Sequence, residues 1–333
     1  MHTEGEIEKS HHLEASKGTS RSLFHYTSAE GLLGIVRTNS IFATHYSFLN
    51  DATECSLILD VLTPRIEVEL KDVIPKLVQR GLFKPSILKD LRSEFYRGEA
   101  EKMLQAIVVA TKKLSPFFIS SFCIHQPHED AYQHGLLSQW RGYAKGGFAI
   151  EFDELEVDKL SKKEHAEYRY QGILTDEVAY KDHAGKIDKE SFSHFGGTLL
   201  KYLFPAQQES LADILGSKMP EDFAKPFFET APFLKNLSFQ EENEYRIVAL
   251  CNRPNAGADD KRKSKLIQFR GRPNGQLVPY IALYGELGAK LPIKSIIVGP
   301  HPNLDGQRLA VEILLEQYNL DIPVRTSEIP FRI

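Results

Sequence analysis

Residues 23–54 read LFHYTSAEGLLGIVRTNSIFATHYSFLNDATE, and this stretch organises what lies around it. Residues 23–26 predict a short strand ending on His25 and Tyr26. Thr27-x-x-Glu30 then makes a capping box, which satisfies two orphan amides at a helix start and predicts a helix through about Arg37. Residues 41–44 predict a second strand running into His45, Tyr46, Ser47, Asn50, Asp51 and Glu54. A strand-helix-strand unit this short brings its strand ends together, so the two His-Tyr pairs are expected at one pocket mouth. Asp51-x-x-Glu54 is also a capping box for the next helix, and Asn50 suits a turn. Asp51 therefore reads as a cap, whereas Asn50 reads as part of the pocket.

The 333 residues exceed one typical domain and suit one elaborated domain or a core with insertions. At 42% hydrophobic residues the chain can bury a substantial core. A net charge of −4 and a pI near 6.3 argue against a surface that coats nucleic acid generally, and leave room for a local basic cleft. Cys55, Cys123 and Cys251 are far apart, with no C-x-x-C pair, which predicts reduced thiols and a cytoplasmic protein without a structural zinc site. No run has the length of a membrane span, and no signal-peptide core is present near the start. Residues 1–20 are polar and aperiodic and are expected to form a mobile tail.

Helical spacing continues over residues 54–113, with interruptions expected at Pro64, Pro75 and 81–85. Residues 116–125 read as a strand, 136–143 as a short helix, and 148–152 as a buried strand reached through Gly146-Gly147. A β-rich stretch at 168–180 precedes a second helical section at 189–230. Strands follow at 244–250, 266–269, 278–283, 295–300 and 324–326, with a helix at 303–318 before the last. No repeat or low-complexity linker divides the chain. The pattern predicts one α+β domain over 21–333, with helical insertions near 55–114 and 186–232.

Residues 235–248 crowd Lys235, Glu241, Glu242, Glu244 and Arg246 at a strand start. Three carboxylates in a closed site need countercharge, and Lys235 and Arg246 are at hand. Strand alternation sets Glu244, Arg246 and Val248 on one face and Tyr245, Ile247 and Ala249 on the other. A salt-bridged strand end is the plain reading of this cluster; a buried reactive carboxylate is the functional one. Trp140 reads as a core anchor. Arg141 beside a glycine turn suits a phosphate or carboxylate. Gly299-Pro300-His301 is a weak anion-binding helix start, lacking the full glycine spacing of a phosphate loop.

Taken in order, FHYTS, SFLNDATE, SFC, WRGYAxGGFAIEF and KxxxFxxExEYR resemble the bacterial family called domain of unknown function 2971, over about residues 23–298. A histidine on an early strand, aromatics in the middle and a glutamate on a late strand are also similar to the ADP-ribosyltransferase fold, including its DNA-modifying toxin branch. That second resemblance implies a central split β-sheet. It implies NAD consumed as substrate, with His25 on the adenosine-side ribose, Tyr46 or Tyr143 stacked on nicotinamide, and Glu244 as the catalytic carboxylate by the nicotinamide ribose. Tyr26, Thr27, Ser47, Asn50 and Arg141 complete the expected nucleotide-binding set. The target is expected to be nucleic acid or protein, in a toxin or antiphage setting that includes a partner protein, and no membrane or metal is called for.

Two other readings compete. In a metal-dependent nuclease, Asp51, Glu54, Glu242 or Glu244 would supply oxygen ligands and Lys235 would orient water, although no compact acidic motif with a following lysine is present. In a non-catalytic nucleotide-binding or regulatory module, His25, Asn50 and Arg141 would bind while Glu244 forms a salt bridge.

Overall fold

A computed structural model describes residues 20–49, 57–81, 92–114, 117–144, 147–180, 229–251, 261–272 and 275–330. Most of the expected tail and second helical section, together with Asn50, Asp51, Glu54 and Cys55, lie outside these residues. The opening stretch forms β1 (Ser22–Thr27), α1 (Ala29–Thr38) and β2 (Ile41–His45). In α1, Leu32, Ile35 and Val36 recur at helical spacing and are buried. Ser28, not Thr27, is its N-cap, with the Ser28 hydroxyl accepting from the Gly31 amide. Its C-cap, Asn39, takes the left-handed conformation at φ 47°, and its side-chain amide bonds Ala289 O at 2.7 Å and Leu291 N at 3.0 Å.

α2 (Leu57–Gln79) continues past Pro64 and Pro75, where interruptions were expected. Each proline removes one backbone hydrogen bond. Packing against α3 (Ser93–Leu114) offsets that loss: Leu62, Ile66, Leu70, Val73 and Ile74 share a core with Tyr96, Ala100, Met103 and Leu104. Among the described residues no helix is long and apolar enough to cross a membrane.

β3 (Phe117–Ile124) is the pivot of the sheet. α4 (Asp130–His134), α5 (Leu137–Gln139) and a π-helical turn at Trp140–Ala144 lead from it to β4 (Phe148–Asp153). α6 (Glu154–Glu167) and β5 (Tyr170–Glu177) follow. Later come β6 (Glu244–Cys251), β7 (Gln268–Gly271), β8 (Leu277–Leu283), β9 (Ile293–Val298), α7 (Leu304–Gln317) and β10 (Val324–Thr326). The strands join in the order β10-β9-β4-β1-β3-β2-β8-β7, with β6 also paired to β3 and β5 to β6. Only β9 and β10 pair in parallel among these. The mixture of one branched, mainly antiparallel sheet with helices packed on it is an α+β architecture.

β3 therefore has three neighbours. One edge runs along β6 from Phe117↔Leu250 to Cys123↔Glu244. The other edge is shared, with β1 opposite Cys123 and Ile124 and β2 opposite Phe118 and Ile119. Among the described residues no strand pairs with 120–122 on that edge, so the sheet divides there. Alternation assigns side chains to two faces. Phe118, Phe122 and Ile124 join Tyr245, Ile247 and Ala249 in a core with α1, α6 and α7. Phe117, Ile119, Val248 and Leu250 face α2 and α3, and Phe24, Tyr26 and Cys123 gather around Trp140.

The turn into β4 is built on a close approach. A Cβ on Gly147 would lie 2.6 Å from Thr27 O and 2.8 Å from Ala144 O, both backbone atoms that cannot swing away. Gly147→Ala is expected to cost about 2–3 kcal/mol through this overpacking, read as a lower urea midpoint; a midpoint equal to wild type would show that the turn relaxes freely.

Candidate functional site

Glu244 opens β6 with its carboxylate 3% exposed. Lys235 Nζ donates to Glu244 Oε2 at 2.9 Å and to Glu242 Oε2 at 2.6 Å. Arg246 grips the same carboxylate twice, Nε to Oε1 at 2.8 Å and Nη2 to Oε2 at 3.1 Å, and its Nη1 donates to Pro232 O at 2.6 Å. Burial alone would raise the Glu244 pKa. The charges of Arg246 and Lys235, with hydrogen bonds from Arg246 and the Ser121 hydroxyl, outweigh it and hold the value at about 2. For Lys235, burial pushes down, but Glu244, Tyr143 and Glu242 carry its pKa above the ordinary lysine range. Two carboxylates and two cations thus balance in a nearly closed cluster. Tyr143 stands at its rim, 37% exposed, with its hydroxyl donating to Glu242 Oε1 at 3.2 Å.

On the opposite edge of β3, His25 reaches into the divide. Its Nδ1 lies 2.9 Å from Ser121 O, so Nδ1 carries the hydrogen and neutral His25 presents Nε2 as an acceptor. Burial, assisted by the charge of Arg270, keeps its pKa below the usual histidine range. Ser121 is the hinge of the arrangement: its carbonyl holds His25 and its hydroxyl contacts Glu244.

Residues 139–247 match a family model described as protein of unknown function (DUF2971). The likeness to that family covers this segment, about a third of the chain. No curated protein and no solved structure matches the chain. The DUF2971 segment begins beside Trp140 and ends inside β6, so it contains Tyr143, Lys235, Glu242, Glu244 and Arg246 but neither His25 nor Ser121.

The remaining expected site residues separate around this DUF2971 segment. Arg141 is exposed on the π-helical turn beside Tyr143. Thr27 ends β1 half-buried. Tyr26 and His25 alternate in β1 and take opposite faces, which corrects the expectation that they share a pocket. The Tyr26 hydroxyl accepts from Leu136 N and bonds His125 Nε2, each at 2.8 Å, under the edge of Trp140. Tyr46 is 7% exposed, with its ring stacked 4.2 Å from Phe117 and 4.8 Å from His45. Both of its faces are taken, so it is a core residue and not the stacking platform. Ser47 is exposed, and its amide donates to His45 Nδ1.

The nuclease reading meets a physical obstacle in the same cluster. The Lys235 ammonium occupies the position between Glu242 and Glu244 that a divalent cation would take. The helix start after Gly299 is filled by the chain itself, Asn303 Oδ1 accepting from Gly306 N at 3.1 Å. Trp140 is fully buried, its indole donating to His134 O at 3.0 Å, as a core anchor should.

Sequence reading did not single out Glu151. Its carboxylate is buried in β4 and accepts from Ser22 Oγ at 2.7 Å, Tyr132 OH at 2.9 Å, Ser295 Oγ at 2.5 Å and Arg325 Nη2 at 2.9 Å. Burial would raise its pKa, but these hydrogen bonds and Arg325 bring it below the usual value. With every lone pair engaged, the group fastens β1, β4, β9 and β10 together.

Proposed function

We propose that the chain is an NAD-using enzyme of the ADP-ribosyltransferase type, with a split-sheet cleft as its nucleotide site. The observation that carries this reading is Ser121. Through it, the histidine of the first strand and the carboxylate of a late strand, which alternation sets on opposite faces, are attached to one residue where the sheet divides, so a dinucleotide reaches both only through that divide. Neutral His25, with Nδ1–H fixed, offers Nε2 to a ribose hydroxyl. Glu244 is ionised at neutral pH, the charge needed beside an oxocarbenium-like ribose as the nicotinamide bond breaks. Tyr143, partly exposed at the rim, is the aromatic that remains for stacking. Lys235 already bonds Glu242, so a shift of its ammonium fully onto Glu242 would leave Glu244 Oε2 held by Arg246 alone, with a lone pair open to substrate, without stranding the lysine. The acceptor of the ADP-ribosyl group is nucleic acid or protein, in a toxin or antiphage role.

The burial and double pairing of Glu244 favour a second reading, a nucleotide-binding module without turnover. Titration calorimetry with NAD and assay of nicotinamide release separate the two. His25→Ala is expected to weaken NAD binding ~30-fold, the loss of about 2 kcal/mol for one directed hydrogen bond. Binding without nicotinamide release selects the module; no binding at millimolar NAD rejects both.

A further inference from the structure

Arginines elsewhere in the sheet rest on carboxylates: Arg21 on Glu154, Arg246 on Glu244, Arg325 on Glu151. The two arginines at the end of β7 do not. Arg270 Nη2 donates to Thr44 Oγ1 at 2.9 Å, and its guanidinium lies 5.6 Å from the Tyr280 ring centre. Arg272 Nη2 donates to Phe48 O at 2.8 Å and its Nη1 to Gln276 Oε1 at 3.1 Å. Neutral groups on β2, β8 and the turn after β2 thus brace both guanidinia, and among the described residues neither meets a carboxylate. Partial burial of the guanidinium, and then the charge of Arg272, lower the Arg270 pKa from its ordinary value, although the residue as a whole is exposed. The charge of Arg270 acts on His25, so the positive field extends to the divide in the sheet.

We infer that Arg270 and Arg272, with the Thr44 hydroxyl, form an anion seat for the linked phosphates of a nucleotide. The inference rests on the nucleotide reading above for the organic part of the ligand. Arg270 lies in β7 and Arg272 one residue past its end, and both reach back to β2 and the turn after it, at Thr44 and Phe48; guanidinium forks are suited to phosphate oxygens. A diphosphate would neutralise both charges while Thr44 and Tyr280 keep Arg270 extended. The adenosine side would then lie toward His25.

Titration of the full-length protein with inorganic pyrophosphate, at low and moderate salt, tests the seat. Wild type is expected to bind with an affinity that falls with salt. Arg270→Ala is expected to weaken binding ~10- to 30-fold, and Arg270→Lys less, since it keeps charge without the fork. Arg308→Ala, on the exposed face of α7, is expected to bind as wild type does. Failure of wild type to bind, equal binding by Arg270→Ala, or an equal loss in Arg308→Ala overturns the seat. Parallel titration with NAD separates the two proposals. Pyrophosphate binding lost in Arg270→Ala, with no NAD binding by wild type, upholds the seat and removes the NAD reading. NAD consumption with pyrophosphate binding unchanged in Arg270→Ala does the reverse.

Discussion

Glu244→Gln is expected to lower the free energy of unfolding by about 3–5 kcal/mol, the scale for removing one partner of a buried ion pair. The substitution preserves shape, but Lys235 and Arg246 would then face Glu242 alone, leaving one positive charge uncompensated in a nearly closed cluster. Adding Lys235→Met restores neutrality, so the double variant is expected to recover at least half of the loss in urea unfolding at neutral pH. Under the transferase reading it also remains at least ~100-fold below wild type in nicotinamide release, because the transition-state charge is still missing. This pairing divides structure from chemistry. A single variant within about 1 kcal/mol of wild type would mean that water, not Glu244, balances the two cations. A double variant that is stable and fully active would free Glu244 of any chemical role.

Acidification is expected to destabilise the protein well above the carboxylate range. Burial holds His125 at a pKa of about 4, more than the opposing influence of Glu129 and of its own backbone contact at Ile124. Its folded pKa is depressed, so the unfolded chain takes up the proton first. The stabilisation is therefore complete above about pH 6.5 and is lost as pH falls toward 4. From pH 7.5 to 5 this one group accounts for about 2 kcal/mol. His25, His45 and His165 are shifted in the same direction and steepen the decline. Only below about pH 4.5 does Glu244 add its own loss, in the window down to about 2. His125→Gln retains an acceptor for the Tyr26 hydroxyl and no longer titrates. Urea unfolding at pH 7.5 and 5 should show a loss smaller by about 2 kcal/mol in the variant, and identical losses would refute the assignment.

Much of the fold was legible because its signals are local. The strand-helix-strand opening, β3, β4, β6, α7 and β10 all lie where alternation and capping placed them, to within about one residue. Pro64 and Pro75 misled because the compensating contacts come from α3, which a local reading does not see. Ser28 displaced Thr27 as cap within a run where both types fit. The site was harder. Glu244, Arg246 and Lys235 were readable as an interacting set, since two share a strand face and the third lies nine residues earlier. The role of Ser121 depends on β3 having different partners on its two edges, which no window of sequence contains. Tyr46 was legible as aromatic but not as core, because its covering ring, Phe117, arrives seventy-one residues later. Glu151 looked like one polar residue in an apolar strand, with partners scattered from Ser22 to Arg325.

That last spread constrains biosynthesis. Arg325 follows Glu151 by 174 residues, and Lys294, the other cation near the carboxylate, lies 3.4 Å from it on β9. A ribosome has therefore finished β1, β3 and β4 long before either countercharge exists. A nascent chain that docked β4 early would bury a carboxylate held only by the hydroxyls of Ser22 and Tyr132, without countercharge, at a cost of several kcal/mol, or would have to protonate it. The cheaper course is to leave β4 undocked, with Phe148, Ile150 and Phe152 accessible to solvent or to a chaperone, until β9 and β10 emerge. Glu151 thus ties closure of the N-terminal half of the sheet to the arrival of residue 325.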